Sequence, residues 1–254
     1  MSKLVNQKLR PLTSVALAGL FTALAVVLQK VLAINYVPVA PFIRISFGGP
    51  AMIIFSSLFL GPLYGACVGL FSDLLGYFIF DPKNMGFFPS ITAIYLVLGF
   101  VSFFIYKLIQ TIKNKKLLTI LEFVVFSLIF IAVSLKIGLS DELTLYSITY
   151  SLHIKTKIVI IVSMLILIVG LFLFSTLYKK KENEISLKTQ QLSFSLFLIE
   201  LLVMVMFGSL MKGIAFGFAT YPVILLTQII VMCINVPLNT YLISILQNIT
   251  KKYY

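Results

Sequence analysis

The stretch Ala51-Met-Ile-Ile-Phe-Ser-Ser-Leu-Phe-Leu-Gly-Pro-Leu-Tyr-Gly-Ala-Cys-Val-Gly-Leu-Phe-Ser-Asp73 decides the class of fold. Two apolar runs meet at Gly61-Pro62, and the one charge in the whole stretch is Asp73. Neither run carries a polar face at helical or strand period, so neither can rest half in water. Gly-Pro marks a tight turn. The chain therefore enters an apolar medium, turns and goes back. The rest of the 254 residues is built alike, 60% apolar and 11% charged with a mean hydropathy of +1.09. Soluble domains run at about 45–50% apolar and about 25% charged. The solvent is lipid.

Working outward, eight apolar segments read as membrane spans: 13–33, 46–61, 63–80, 88–107, 117–137, 156–178, 192–212 and 222–247. The first follows Met1–Arg10 and superficially resembles a signal peptide. At about 20 residues it is a full span, longer than a signal core of about 7–15. The second is short, so it must sit upright, thin the bilayer or belong partly to a buried re-entrant element. Together these predict an all-α polytopic bundle forming a single membrane domain over residues 1–254.

Twenty basic residues against eight acidic ones give +12, which in a soluble protein would suggest nucleic acid. Here the cations cluster between the spans and report topology instead. With the N-terminus inside, thirteen Lys and Arg fall on the inner side and seven, including Lys30, Arg44, Lys83 and Lys212, on the outer. Both termini are expected in the cytoplasm. Tyr106 and Tyr178 mark the inner boundary, Tyr36 and Tyr221 the outer. Cys67 and Cys233 lie inside apolar runs, against a disulfide framework or a zinc site. Residues 179–191 read as a solvated loop, and His153 as an ordinary loop residue.

Enzyme signatures are missing from the sequence. It has no His-Glu-x-x-His, no Gly-x-Ser-x-Gly and no Gly-x-x-x-x-Gly-Lys-Ser/Thr loop for ATP. No ring of charges or filter-like segment argues for a pore. A transporter, or its substrate-binding part, remains, with no cofactor or metal called for. Gly61, Gly65, Gly69 and Asp73 are spaced by four and share a helix face, where small residues let another helix come close. Asp73 needs a partner or a water-filled cavity. Its two readings are a ligand site and a buried hydrogen bond that fixes helix packing. Arg44, beside Phe42, suits an anionic planar ligand or an interfacial position snorkelling to headgroups. Phe87 and Phe88 could cap a pocket or anchor at the interface.

Arg44-Ile-Ser-Phe-Gly, then Leu60-Gly-Pro-Leu-Tyr-Gly-x-x-x-Gly-x-x-x-Asp73, then Phe87-Phe-Pro89 before a span, resembles substrate-binding (S) components of energy-coupling-factor (ECF) vitamin transporters, most of all the folate branch. A second match is Val236-Pro-Leu-Asn-Thr-Tyr-Leu in the last span. The resemblance covers about the first 110 residues and the last 60. It implies a six-helix core, so residues 117–190 read as an insertion carrying two extra helices. Where folate-type members carry an Arg and then a Lys in the last span, this chain has Gln228 and Val231.

The resemblance further implies a mechanism. An S component of the cell membrane binds its vitamin from outside, then tips against a transmembrane coupling protein driven by two ATPase subunits. Folate or a related vitamin is the expected ligand, with Arg44 as carboxylate partner and Phe42, Phe87 and Phe88 as stacking or gating aromatics. Asp73, Gln228 and Asn235 would supply hydrogen bonds. A small-residue face on the first helix, Ala16, Gly19 and Ala23, is the expected dock for the coupling protein; Ala18, Thr22 and Ala25 line the adjacent face. Rival readings are another vitamin on the same scaffold (pantothenate, a thiamine precursor, a queuosine precursor) and a self-sufficient secondary transporter.

Overall fold

The computed structural model describes residues 11–31, 48–80, 87–140, 142–145, 148–177, 183–217 and 221–253. Among them the chain forms eight helices. Helix α1 (Pro11–Val26) runs on as a π-helical segment, Val27–Val31. Then come α2 (Gly49–Leu60), α3 (Pro62–Phe80), α4 (Pro89–Gln110), α5 (Lys115–Leu139) and α6 (Ile154–Leu177). Helix α7 is continuous from Asn183 to Phe216, π-helical between Glu200 and Phe207, and α8 is Tyr221–Tyr253. A hairpin of two short antiparallel strands, β1 (Glu142–Leu145) and β2 (Ile148–Ser151), joins α5 to α6. His153 follows β2 in the short link to α6, a loop position as expected.

Seven of these helices are long and apolar enough to cross a membrane, and α2 is not. Twelve residues rise about 18 Å, against about 30 Å of hydrocarbon. The second segment is thus the short, buried element that its length allowed, beside seven crossing helices. Helix α2 is buried from Gly49 through Ser57, walled by α1, α3, α4 and α8. Its largely apolar surface over that stretch therefore meets protein rather than lipid. The outward faces of the long helices carry Leu20, Phe71, Phe78, Phe104, Phe123, Leu128 and Ile166, all exposed. Such a surface is stable only in lipid, so this is a multi-pass membrane protein.

Gly61 makes the α2–α3 corner. Its φ of 104° is open to glycine, its N–H donates to the Ser57 carbonyl, and its carbonyl accepts from Gly65 N–H. One residue thus closes one helix and opens the next, with Pro62 at the first helical position. The glycine stripe splits in function here. A Cβ at Gly61 would meet nothing, whereas one at Gly69 would strike the Tyr95 carbonyl and one at Gly99 the Gly65 carbonyl. Helices α3 and α4 therefore touch backbone to backbone.

Two apolar cores result. One gathers Phe21, Ile53, Phe55, Leu98, Leu196 and Ile243 from α1–α4 with α7 and α8. The other gathers Leu118, Phe126, Met164, Phe197 and Met232 from α5 and α6 with α7 and α8. Helices α7 and α8 serve both and are the most enclosed spans; α5 and α6 are the most lipid-facing. Gly69→Ala is expected to force α3 from α4 and cost about 1–3 kcal/mol. Gly170→Ala, with nothing within 4 Å of the added carbon, should leave stability unchanged or raise it. Thermal unfolding followed by circular dichroism compares the two.

Candidate functional site

Antiparallel neighbours bring the ends of α1, α3 and α7 and the starts of α4 and α8 to one end of the bundle, and two groups of buried polar side chains extend toward it. The first group spans α1, α3 and α4. Asp73 Oδ2 accepts from Thr92 Oγ1 at 2.7 Å, and Oδ1 faces Lys30 Nζ at 3.7 Å. Asp73 and Thr92 are both buried. Lys30 reaches its partner because Gly76, one turn beyond Asp73, has no side chain; a Cβ there would strike the lysine stem. The π-helical turn carries Lys30 on this side and Gln29 against the start of α2. Gln29 is 1% exposed, and neither of its side-chain polar atoms is paired.

The second group lies between α7 and α8. Asn239 Nδ2 donates to Glu200 Oε1 at 2.9 Å, with Glu200 and Asn239 each 1% exposed. Gln228, Asn235 and Asn239 fall at i, i+7 and i+11, one face of α8, and all three are buried. On α7, Ser209 is buried, and Lys212 acts electrostatically on Glu200 without a direct ion pair. Pro237 interrupts the same stretch of α8. Lacking an N–H, it leaves the Cys233 carbonyl without its helical donor. Phe88, ahead of α4, packs on Phe216 of α7 with ring centres 5.2 Å apart. Gly48, at φ 88°, brings the start of α2 beside Leu242, one turn past Asn239.

A third buried acid, Glu122, ties α5 to α6 and α7. Ser175 Oγ donates to its Oε1 at 2.9 Å and Gln190 Nε2 to its Oε2 at 3.0 Å. This group lies toward the opposite end of the bundle, close to the start of α5 and of α7.

Of the residues expected from sequence, Phe42 and Arg44 lie outside the described residues. Gln228 and Asn235 share the α8 stripe. Phe88 joins α4 to α7, while the half-exposed Phe87 packs on Tyr77 and Phe78 of α3. Asp73 stands apart, since α3 packs on α1, α2 and α4 rather than along α8. On α1, Ala16, Gly19 and Ala23 face out of the bundle, whereas Thr22 and Ala25 are buried. Motif spacing singles out neither Glu122 nor Glu200. The signal that finds both is an acid inside an apolar run.

Residues 13–157, more than half of the chain, match the family model of the ECF transporter substrate-specific component. The chain belongs to that family. No characterised protein and no solved structure matches it. As an S component it is a small-molecule binding subunit of an importer rather than an enzyme, and its family works with an ECF module. In this S component Asp73→Ala removes the carboxylate that faces Lys30 and should cost about 3–5 kcal/mol. The Lys30→Met/Asp73→Ala double variant should lose less than the two single losses added together, read from melting curves of all four proteins.

Proposed function

We propose that this S component captures folate or a related nitrogen-heterocyclic vitamin from outside the cell and delivers it to an ATP-driven coupling module. The observation that carries the reading is the family match together with a buried polar stripe, Gln228, Asn235 and Asn239, running in from the bundle end where α4 and α8 start. In this reading that end faces outward and both termini are cytoplasmic, as the thirteen-to-seven split of cations supports. Arg44 pairs with a carboxylate of the ligand. Phe42, Phe87 and Phe88 stack on it or close over it, and Gln228 and Asn235 supply hydrogen bonds. Asp73, whose oxygens face Thr92 and Lys30, ties α1, α3 and α4 together beside it. Residues 117–190 are an addition to the six-helix core.

Docking on the coupling protein is assigned to the outward face of Ala16, Gly19 and Ala23, where nothing lies within 4 Å of a Cβ placed on Gly19. Small residues there admit a partner helix at close range. Mass spectrometry of the small molecule released from the purified chain identifies the vitamin directly. Arg44→Ala should weaken its binding about 10- to 100-fold, the range of a hydrogen bond to a charged group. Gly19→Leu should abolish co-purification of the coupling protein and its ATPases while leaving vitamin binding intact. Uptake into vesicles by this chain alone, without ATP or the coupling proteins, would sink the proposal.

A further inference from the structure

The polar groups between α7 and α8 are unequally matched. Glu200 offers a carboxylate with room for about four hydrogen bonds, of which Asn239 fills one. The same amide has its Nδ2 committed to Glu200, so its Oδ1 is fixed as an acceptor, and it is buried without a donor. Asn235 Oδ1, one turn away on the same face, is likewise buried and unpaired. Pro237 leaves the Cys233 carbonyl without its helical N–H. Against these acceptors stand Ser209 Oγ, itself buried and unpaired, and Lys212, which acts on Glu200 from beyond ion-pair distance. The cluster is rich in acceptors and poor in donors.

A carboxylate in a membrane helix is costly, and a glutamine could hold Asn239 as well. The retained acid calls for an N–H-bearing partner. The groups between Glu200 and the bundle end are ordered along α7. Lys212 and Phe216 lie one turn apart on α7 toward the bundle end, and Phe216 carries Phe88 across from α4. A molecule entering from that end passes an aromatic pair and a cation before it meets Glu200.

We infer that Glu200, Asn235 and Asn239 form the receptor for the head of the ligand, and that this head is a planar nitrogen heterocycle presenting adjacent N–H donors, an amino group beside a protonated ring nitrogen. Two parallel N–H bonds to one carboxylate match such an edge. An acceptor or anionic part points outward to Lys212, and Phe88 and Phe216 lie beyond it toward the bundle end. The inference rests on the vitamin-binding reading and adds the class and direction of the ligand.

The test uses the full chain in lipid nanodiscs, titrated calorimetrically with two sets of compounds. Pterin, 4-aminopyrimidine and adenine carry the donor edge; nicotinate and pantothenate are carboxylates without it. At least one compound of the first set should bind, and Glu200→Gln should weaken it about 10- to 100-fold. Asn235→Leu removes an unpaired acceptor, so it should weaken the same compound while holding or raising the melting temperature. If Glu200→Gln does not fold, Asn235→Leu decides alone. Binding confined to the carboxylates, binding of none of the five, or full affinity in Asn235→Leu overturns the inference. Co-purification with the coupling protein is scored separately; its loss in the wild-type chain would count against the S-component mechanism instead.

Discussion

A carboxylate taken into hydrocarbon must be answered by another polar group, and that demand organises this bundle. Among the described residues three acids are buried inside its helices, and each is answered differently. Asp73 has a cation and a hydroxyl, Lys30 and Thr92. Glu122 has two neutral donors, Ser175 and Gln190. Glu200 has a single amide, Asn239, with Lys212 farther off. In each case the answer comes from a different helix, so every acid is also a cross-tie. Asp73 draws together α1, α3 and α4; Glu122 holds α5 and α6 to α7; Glu200 binds α7 to α8. The hydrophobic effect cannot sort helices from lipid, and these ties, with the glycine contacts of α3 and α4, do so.

The same demand separates structure from function. Asp73 and Glu122 are met on both oxygens by the protein itself. Glu200 is not, and its neighbours on α8 add further unanswered oxygens. An under-satisfied polar cluster inside a membrane protein is costly to keep. In a binding subunit it is also the place where a ligand can contribute most.

Much of this was legible in the amino-acid string. The span positions follow from apolar runs alone and agree with the helices to within a few residues, except where α7 and α8 extend beyond the seventh and eighth. Gly61-Pro62 reads as a turn and is one. The need of Asp73 for a partner is readable, but not its identity: Lys30 is 43 positions away and meets it because Gly76 clears a path. Likewise Asn239 lies 39 positions from Glu200, on an antiparallel neighbour whose register no local pattern encodes. The burial of α2 was open for a similar reason. Its shortness is visible in sequence, while its four walls belong to segments far along the chain. The membrane family was legible from motif order, and the loop with Phe42 and Arg44 remains known from sequence alone.

Helices α7 and α8 belong to both cores, which bears on how such a chain can change length. In water, stripping α5 and α6 from the bundle would expose Phe197, Met232 and Val236 and ruin it. In a bilayer, acyl chains take the place of the lost side chains at little cost. What would be missed among the described residues is one polar knot: Gln190 would lose Glu122 and Thr119, its partners on α5. A helical hairpin held by so few directional bonds behaves as a detachable module. Membrane bundles of this kind can gain or shed such pairs over generations while the remaining helices keep their places.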